Sequence, residues 1–589
     1  VHIDETIRTI DPESVENLPY GVDGSHYQWV DLDGEGIAGI LTEQAGTWFY
    51  KRNSGNGTFL PTQALLTQPS LANLSGGRQQ LLDFTGDGRI SLAEFVGPVP
   101  GFYEHTTGDG WEPFKAFPSL PSIKWSDPNL RFIDVTGDGL VDVLITDQDV
   151  FTWYPSRRKW GFGAAQYTPS SLDEERGPAL VFADADQSVY LADMNGDGLS
   201  DLVRIRNGEV CYWPNIGYGR FGAKVTLDNA PWFDIPDLFD QKRVRLADID
   251  GSGTSDIIYL GRNEVKLFFN QSGNRLSNPH FLTEFPRVDN LSSVNIIDLL
   301  GNGTAYIVWS SPLPADASQP MHYIDLMGGQ KPHLLLSVKN NMGAETRVHY
   351  AASTKFYLAD RERGTPWVTR LPFPVYVVER VETLDRVSNN RFVTRYAYHH
   401  GYYDGYEREF RGFGMVEQWD TEEIDIALQG ASKYTNLDAA SFVPPVYTKS
   451  WFHNGAYLAE DRITRHFVHE YYKDDPLATL LPDTILPRGL SDEEQGEACR
   501  ALKGSLLRQE VYAEDGKNKS RHPYLVSEHN YTIVWMQPKG INRHAVFFTH
   551  ARESIDYHYE RIYEPKHDPR VSHQLVLEVD AFGNVRQSV

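Results

Sequence analysis

A loop of oxygen-bearing residues and glycines is the part of the sequence best suited to chemistry, and that chemistry is metal binding. In the segment 193–201, Asp193, Asn195, Asp197 and Asp201 occupy positions 1, 3, 5 and 9 of the loop. Glycines at positions 4 and 6 allow the backbone to curl, so these side-chain oxygens can converge. Oxygen ligands without histidine or cysteine are the donors that Ca²⁺ prefers in proteins. The spacing therefore predicts a calcium loop.

Five more loops follow the same plan, and two of them follow it completely. The two further sets of predicted ligands are Asp134, Thr136, Asp138, Asp142 and Asp248, Asp250, Ser252, Asp256. The loops that begin at Asp31, Asp83 and Asp298 keep both glycines but lack part of the ligand set. Because the glycines persist where the ligands do not, calcium is predicted as an optional ligand. The alternative left open is an Asx-type turn, in which the aspartate only caps backbone N–H groups.

Sequence motifs of familiar catalytic centres are absent from the chain. It contains no G-x-S-x-G, H-E-x-x-H or C-x-x-C. The nearest histidine groupings are His399 with His400 and His466 with His469, and they are interpreted as exposed or core histidines. We therefore predict no catalytic residues, and we predict that the chain is not an enzyme.

The six loops recur every 50 to 59 residues, and each lies among short strands. In the third repeat, an apolar strand at 131–133 leads into the loop, a second strand follows at 140–145 and an aromatic strand at 151–154. Three or four short strands in a repeat of this length are typical of one β-propeller blade. The sequence therefore predicts an all-β fold with a six-bladed propeller over residues 21–340, because closure into a ring removes exposed sheet edges.

Length and composition limit the remaining possibilities. The 589 residues are enough for several domains, and the net charge of −25 argues against nucleic acid as a partner. Direct membrane insertion is not expected, since no apolar run reaches about 18 residues. The two cysteines, Cys211 and Cys499, are expected to be buried small apolar residues. The polar start lacks a signal peptide, and both ends are interpreted as lying within a longer chain.

The second half of the sequence lacks the acidic repeat but continues in strand patterns. Segments such as 346–350 and 375–381 alternate apolar and charged residues, as half-buried antiparallel strands do. Helix is scarce. A capping box at Ser491 and Glu494 predicts a short helix near 491–507.

Several long segments of the chain resemble the B subunit (TcB or TcdB type) of bacterial insecticidal toxin complexes. They are RFVTRYAYHHGYYDG at 391–405, EREFRGFGMVEQWD at 407–420, PWVTRLPFP at 366–374, YQWVDLDGEG at 27–36 and GTWFYKR at 46–52. The resemblance covers the whole chain, as the middle portion of a larger subunit with propeller repeats of the FG-GAP/VCBS type and Rhs-like segments.

The resemblance implies a role in carrying a toxin. In this family the B subunit joins a C subunit in a hollow β-shell of Rhs/YD-type repeats, which encloses a cytotoxic effector. The propeller acts as a gate and docks on a pentameric A subunit, the translocation channel. Residues 1–20 would then be a shell strand and linker, 341–430 Rhs-like shell strands and 431–589 further shell strands. Such a complex is made in the bacterial cytoplasm and acts outside the cell.

Two other classes of function remain as alternatives. The first half alone is equally compatible with a calcium-stabilised adhesion or lectin-type propeller. A polysaccharide-degrading enzyme would need an acid/base pair in a cleft, and the sequence indicates none. The segments of the second half favour the toxin-complex component.

Overall fold

The chain forms two compact units. The computed structural model describes all residues except 1–2, 17, 19–26, 45, 66–78, 107–109, 263, 290–291, 421–433, 435, 437–442, 459–462 and 562–568. The first unit comprises Val1–Leu334 together with two short segments, Pro372–Val375 and Gly405–Arg408. The second unit comprises Leu335–Leu371, Tyr376–Asp404 and Glu409–Val589. Part of the predicted boundary near residue 430 lies outside the described residues.

The first unit contains six four-stranded antiparallel sheets, so the predicted six-bladed propeller is confirmed. Blade one has the strands Tyr27–Val30, Gly39–Gln44, Thr47–Lys51 and Gln63–Ala64, and blade two has Gln79–Leu82, Ser91–Glu94, Gly101–Glu104 and Lys115–Ala116. Blade three has Leu130–Ile133, Asp142–Thr146, Val150–Tyr154 and Gln166–Pro169, and blade four has Val189–Ala192, Asp201–Arg206, Glu209–Trp213 and Val225–Thr226. Blade five has Val244–Ala247, Asp256–Leu260, Val265–Phe268 and His280–Leu282, and blade six has Ser293–Ile297, Tyr306–Ser310, Met321–Asp325 and Ile7–Thr9. A separate small hairpin, Asn270–Gln271 with Arg275–Leu276, lies between the third and fourth strands of blade five in the chain.

The second strand of a blade is its most apolar element. All five residues of Asp256–Leu260 are buried, and so are the first five of Asp201–Arg206. When both faces of a strand are buried, side chains on both faces are apolar, so the strand is a continuous apolar run in the sequence. These strands hold the acidic loops rigidly, because position 9 of each complete loop is the first residue of the second strand.

Hydrophobic clusters join the blades to one another around the ring. Between blades one and two, for example, Trp48 packs with Leu92 in one buried cluster. The cluster that contains Ile40 of blade one and Val308 of blade six joins the last blade to the first. Four further clusters join the other neighbouring pairs. The ring is therefore closed by apolar burial, which is worth about 1.5–3 kcal/mol for each fully buried large side chain.

The first strand of the chain corrects one prediction. Residues 1–20 were expected to supply a shell strand, but Ile7–Thr9 pairs antiparallel with Met321–Asp325 as the outermost strand of blade six. Without this pairing, Met321–Asp325 would present unpaired backbone groups at a sheet edge. Arg8 adds ion pairs with Asp4 at 2.6 Å and Asp325 at 3.8 Å.

The second unit is built on one antiparallel sheet of eleven strands, in which each strand pairs with the next along the chain. The strands are Ser337–Lys339, Ala344–Ala352, Tyr376–Asp385, Asn390–Asp404, Glu409–Trp419, Val446–Phe452, Leu506–Ala513, Leu525–Gln537, Val546–His558, Arg570–Val579 and Val585–Ser588. The strand Ser337–Lys339 already belongs to this sheet, so the propeller unit ends before the predicted residue 340.

Two α-helices occur in the part of the chain that the structure describes, Ser353–Glu362 and Asp492–Arg500. The second begins with the predicted capping box, in which Ser491 and Glu494 exchange hydrogen bonds. It ends at Arg500, earlier than predicted, and a turn at 501–504 leads into the strand that begins at Leu506. None of the described helices is long and apolar enough to cross a membrane. Both cysteines are buried and free.

Candidate functional site: the acidic loops of the propeller

Each acidic loop joins the first strand of a blade to the second, and the aspartate at position 1 holds it in shape. In the fourth loop, Asp193 accepts hydrogen bonds from the amides of Gly196 and Gly198, both at 2.7 Å. These glycines have φ values of 82° and 85°, which other residues adopt only with strain. In all six loops the amide of the second glycine donates to the position-1 aspartate, at 2.6–2.9 Å. The repeated feature is thus an aspartate-capped turn.

The aspartate at position 9 joins the loop to the turn that follows the third strand. Asp201 is fully buried, and it accepts the amide of Met194 at 3.0 Å and the amide of Asn215 at 2.8 Å. Asp142 and Asp256 make the corresponding pairs of hydrogen bonds in their own blades. Each of these carboxylates therefore accepts hydrogen bonds from backbone amides on two segments of the chain.

The predicted ligands at positions 3 and 5 also bond within their own loops. In the fourth loop, Asn195 donates to Asp197 at 3.0 Å, and Asp197 accepts the amide of Leu199 at 2.9 Å. In the third loop, the Thr136 hydroxyl donates to Asp134 at 3.4 Å, and Asp138 accepts the amide of Leu140 at 2.9 Å. The Asx-type turn, which the sequence leaves open as the alternative, is thus formed, and calcium binding stays a prediction.

The fifth loop brings its acidic groups closest together. One carboxylate oxygen from each of Asp248, Asp250 and Asp256 lies within 4.8 Å of the other two. Ser252, the fourth predicted ligand, donates its amide to both Asp248 and Asp250 at 3.0 Å. Converging carboxylate oxygens are the donors that a hard divalent cation requires. Among the described residues this loop is the predicted set that best fits calcium.

Burial makes it costly to ionise several aspartates of the acidic loops. Loss of solvent raises the pKa of Asp256 to about 8, although two amides donate to its carboxylate. The same cause raises the pKa of Asp31 to about 7 and those of Asp142, Asp201 and Asp298 to about 6. A carboxylate in such surroundings is stabilised by a proton or by a nearby cation.

Basic side chains of the same unit approach several of these loops. In the first loop, Arg52 Nε lies 2.8 Å from Asp33 Oδ2, and both side chains are largely buried. In the fifth loop, His333 Nε2 lies 3.8 Å from Asp250 Oδ2. In the first loop, the Arg52 guanidinium therefore supplies part of the positive charge that the carboxylates require.

Three asparagines that link neighbouring blades were not singled out by sequence reasoning. Asn215 Nδ2 donates to the carbonyl of Asp134 at 2.9 Å, which joins blade four to blade three. The corresponding bonds run from Asn270 to Met194 at 2.8 Å and from Asn53 to Leu299 at 2.7 Å. Each asparagine begins a glycine-containing turn after the third strand. The repeated Asn was the available signal, but sequence alone interprets it only as a turn residue.

The histidine pair of the second unit lies in the core. His399 is buried between Asp360 and Glu417, with ring-nitrogen distances of 2.5 and 3.3 Å. His400 is also buried, and its Nε2 lies 2.7 Å from Glu470. Both histidines thus have carboxylate hydrogen-bond partners inside the sheet unit.

The architecture places the chain in a class of all-β proteins that combine a six-bladed propeller with a long antiparallel sheet. Two family profiles match its sequence. The profile described as insecticide toxin TcdB middle/N-terminal region matches residues 286–455, and the profile described as insecticide toxin TcdB middle/C-terminal region matches residues 497–589. The chain belongs to the TcB/TcdB family of insecticide toxin proteins, as its sequence predicts.

Solved structures give the same relationship over nearly the whole chain. The Tc holotoxin pore of Photorhabdus luminescens is 30% identical with a TM-score of 0.85, and the match covers 99% of this chain and 26% of that chain. The TcdB2–TccC3–Cdc42 structure is 29% identical with a TM-score of 0.73, covering 99% of this chain and 27% of that one. The TcdB2–TccC3 structure is 28% identical with a TM-score of 0.71, covering 99% of this chain and 27% of that one. The chain therefore spans about a quarter of the length of these relatives. No curated protein matches its sequence.

Proposed function

We propose that this chain is the middle part of a toxin-complex B subunit that carries and releases a protein effector without catalysing a reaction. In this proposal the second unit contributes strands to a hollow shell around the effector. The propeller closes that shell, docks on a channel subunit and serves as the gate. The complex acts outside the bacterial cell that makes it.

The observation that carries the proposal is the match to the Tc holotoxin pore over 99% of the chain, across both units. The printed names of the related structures describe a holotoxin pore and complexes of TcdB2 with TccC3. By analogy, we propose a C-type subunit and a channel-forming A-type subunit as the partners of this chain.

The physical character of the two units supports these roles. Eleven strands that pair in chain order form a continuous wall, and six of them have ten to fifteen residues. A propeller closed by apolar clusters between all neighbouring blades makes a stable lid. The carboxylates of the complete loops are committed to backbone amides, which suits a structural role better than proton transfer in catalysis.

Reconstitution tests the proposal. The intact protein is mixed with a C-type partner and an A-type channel, and assembly is followed by size-exclusion chromatography and electron microscopy. We expect a ternary complex with a hollow body capped by a ring. We also expect that the C-type partner's effector resists added protease only when this protein is present.

A propeller protein of similar net charge from an unrelated family serves as the control. Separate elution of all three proteins, or an effector digested equally fast with and without this protein, would contradict the proposal.

A further inference from the structure

Four residues far along the chain belong to the propeller unit, and the first of them contacts the second acidic loop. The segment Gly405–Arg408 is part of the first unit. A Cβ atom placed on Gly405 would lie 2.0 Å from the carbonyl oxygen of Gly86 and 2.5 Å from the amide nitrogen of Asp87. Only a glycine therefore allows this close approach of the two backbones.

The last residue of the same segment contacts the third acidic loop. Arg408 Nη1 donates to the carbonyl of Gly137 at 3.2 Å and lies 3.8 Å from Asp134 Oδ2. A Cβ atom on Gly139 would lie 2.3 Å from Arg408 Cδ, so the arginine stem covers the loop closely. The guanidinium thus brings a positive charge to the carboxylate at position 1.

A second arginine connects the second loop with the segment. Arg158, in the turn after the third strand of blade three, donates to the carbonyl of Thr85 in the second loop at 3.0 Å. Its guanidinium carbon lies 4.3 Å from the ring centre of Tyr406, within the range of a cation–π interaction. Blade two, blade three and the segment are therefore linked by three sets of contacts.

We propose that residues 405–408 form an internal clasp across the junction of blades two and three. In this clasp the Arg408 guanidinium supplies the third loop with the positive charge that its ligand spacing would otherwise take from a metal ion. The fourth loop is the contrast, because no described basic side chain lies within 4 Å of the Asp193, Asp197 or Asp201 carboxylates. The clasp does not depend on the function proposed above, since it concerns only how the ring is held.

Hydrogen exchange in the intact protein tests the clasp. We expect Arg408→Gln and Gly405→Ala each to speed amide exchange in the second and third loops. The expected factor for Arg408→Gln is roughly two- to fivefold, as the loss of a partly exposed ion pair allows. Exchange at Gly196 and Gly198 in the fourth loop should not change.

Two control variants match these changes. Arg206→Gln removes an arginine of similar exposure whose pair with Asp186 spans 3.9 Å in blade four. Gly496→Ala adds a methyl group where nothing lies within 4 Å. Neither control should affect the second or third loop.

Calcium distinguishes the guanidinium from a metal ion. We expect added Ca²⁺ to slow exchange in the third loop of Arg408→Gln but not of the unchanged protein. Equal slowing in both would overturn the assignment of Arg408 as the loop's cation. Unchanged exchange in both clasp variants, or equal acceleration in all six loops, would overturn the clasp itself.

Discussion

His399 Nδ1 lies 2.5 Å from Asp360 Oδ2, and both side chains are buried in the second unit. The other ring nitrogen faces Glu417 at 3.3 Å. Burial alone would lower the pKa of His399, but the hydrogen bonds and charges of the two carboxylates outweigh it and raise the pKa to about 9. The imidazolium form is thus the one that the fold stabilises.

The first prediction follows from this pKa. A histidine whose pKa is raised by folding stabilises the protein fully below its unfolded pKa of about 6.5, and the contribution is lost as pH rises through about 9. We expect the free energy of unfolding of the sheet unit to fall by on the order of 2–3 kcal/mol between pH 6.5 and pH 9.5. Urea denaturation across this range measures it.

His399→Gln should remove most of this pH dependence. The exposed His573, which pairs with Glu553 at 3.2 Å on the same sheet, provides the control variant His573→Gln. A pH profile for His399→Gln that parallels that of the unchanged protein would contradict the assignment.

The second prediction concerns the asparagine links between blades. Asn215→Ala leaves the carbonyl of Asp134 without its donor and the amide of Gly217 without its acceptor in a buried place. Buried polar groups left unpaired cost about 1–3 kcal/mol. We expect the unfolding midpoint of the propeller to move to lower urea by a corresponding amount.

Asn56→Ala is the control, because Asn56 bonds only within an exposed turn of blade one. If Asn215→Ala and Asn56→Ala gave equal midpoints, the link between blades three and four would contribute nothing measurable.

The third prediction concerns metal in the fifth loop. If calcium binds there, EDTA should lower the melting temperature of the propeller. Without a cation, the raised pKa of Asp256 makes the folded state less stable as pH rises from about 4 through about 8, so the effect of EDTA should grow over that range. Differential scanning calorimetry at pH 5.5 and pH 8 tests this.

Asp250→Asn should abolish the response to EDTA, whereas the exposed Asp186→Asn should keep it. An identical melt with and without EDTA at both pH values would leave the fifth loop as a capped turn only.

The fourth prediction separates backbone strain from steric clash at two glycines. Gly198 and Gly219 have φ values of 85° and 72°. Nothing lies within 4 Å of a Cβ on Gly198, but a Cβ on Gly219 would lie 2.3 Å from the Trp153 indole. We expect Gly198→Ala to cost about 1–2 kcal/mol, the strain of the left-handed conformation.

Gly219→Ala should cost at least twice as much, because the indole must also move. Denaturant midpoints of the two variants measure the difference. Equal midpoints would mean that the Trp153 indole moves away from the added methyl group at no measurable cost in free energy.

Local patterns in the sequence were enough to predict the propeller. Aspartate and glycine at fixed spacing specify a turn whose φ values and caps involve only neighbouring residues, as Asp193 and Gly198 illustrate. The capping box at Ser491 is equally local. The helix Ser353–Glu362 was missed, since its first turn has no side-chain cap that a sequence pattern could reveal.

The remaining features depend on residues far apart in the chain. Asn215 contacts Asp134, and Arg408 contacts Gly137, but no local pattern specifies either partner. The same limit explains why residues 1–20 were expected in the shell on the family resemblance, whereas Ile7–Thr9 pairs with blade six. The toxin-complex relationship was predictable because long segments of the second half are themselves distinctive.

The strand Ile7–Thr9 also sets the timing of assembly during synthesis. Its partner Met321–Asp325 leaves the ribosome about 300 residues later, which at roughly 5–20 residues per second is a wait of about 15–60 s. Five blades can pack as an open arc in that interval, while Ile7–Thr9 stays unpaired. A nascent chain released before residue 325 would therefore form an open arc of blades with exposed surfaces at both ends, not a closed ring.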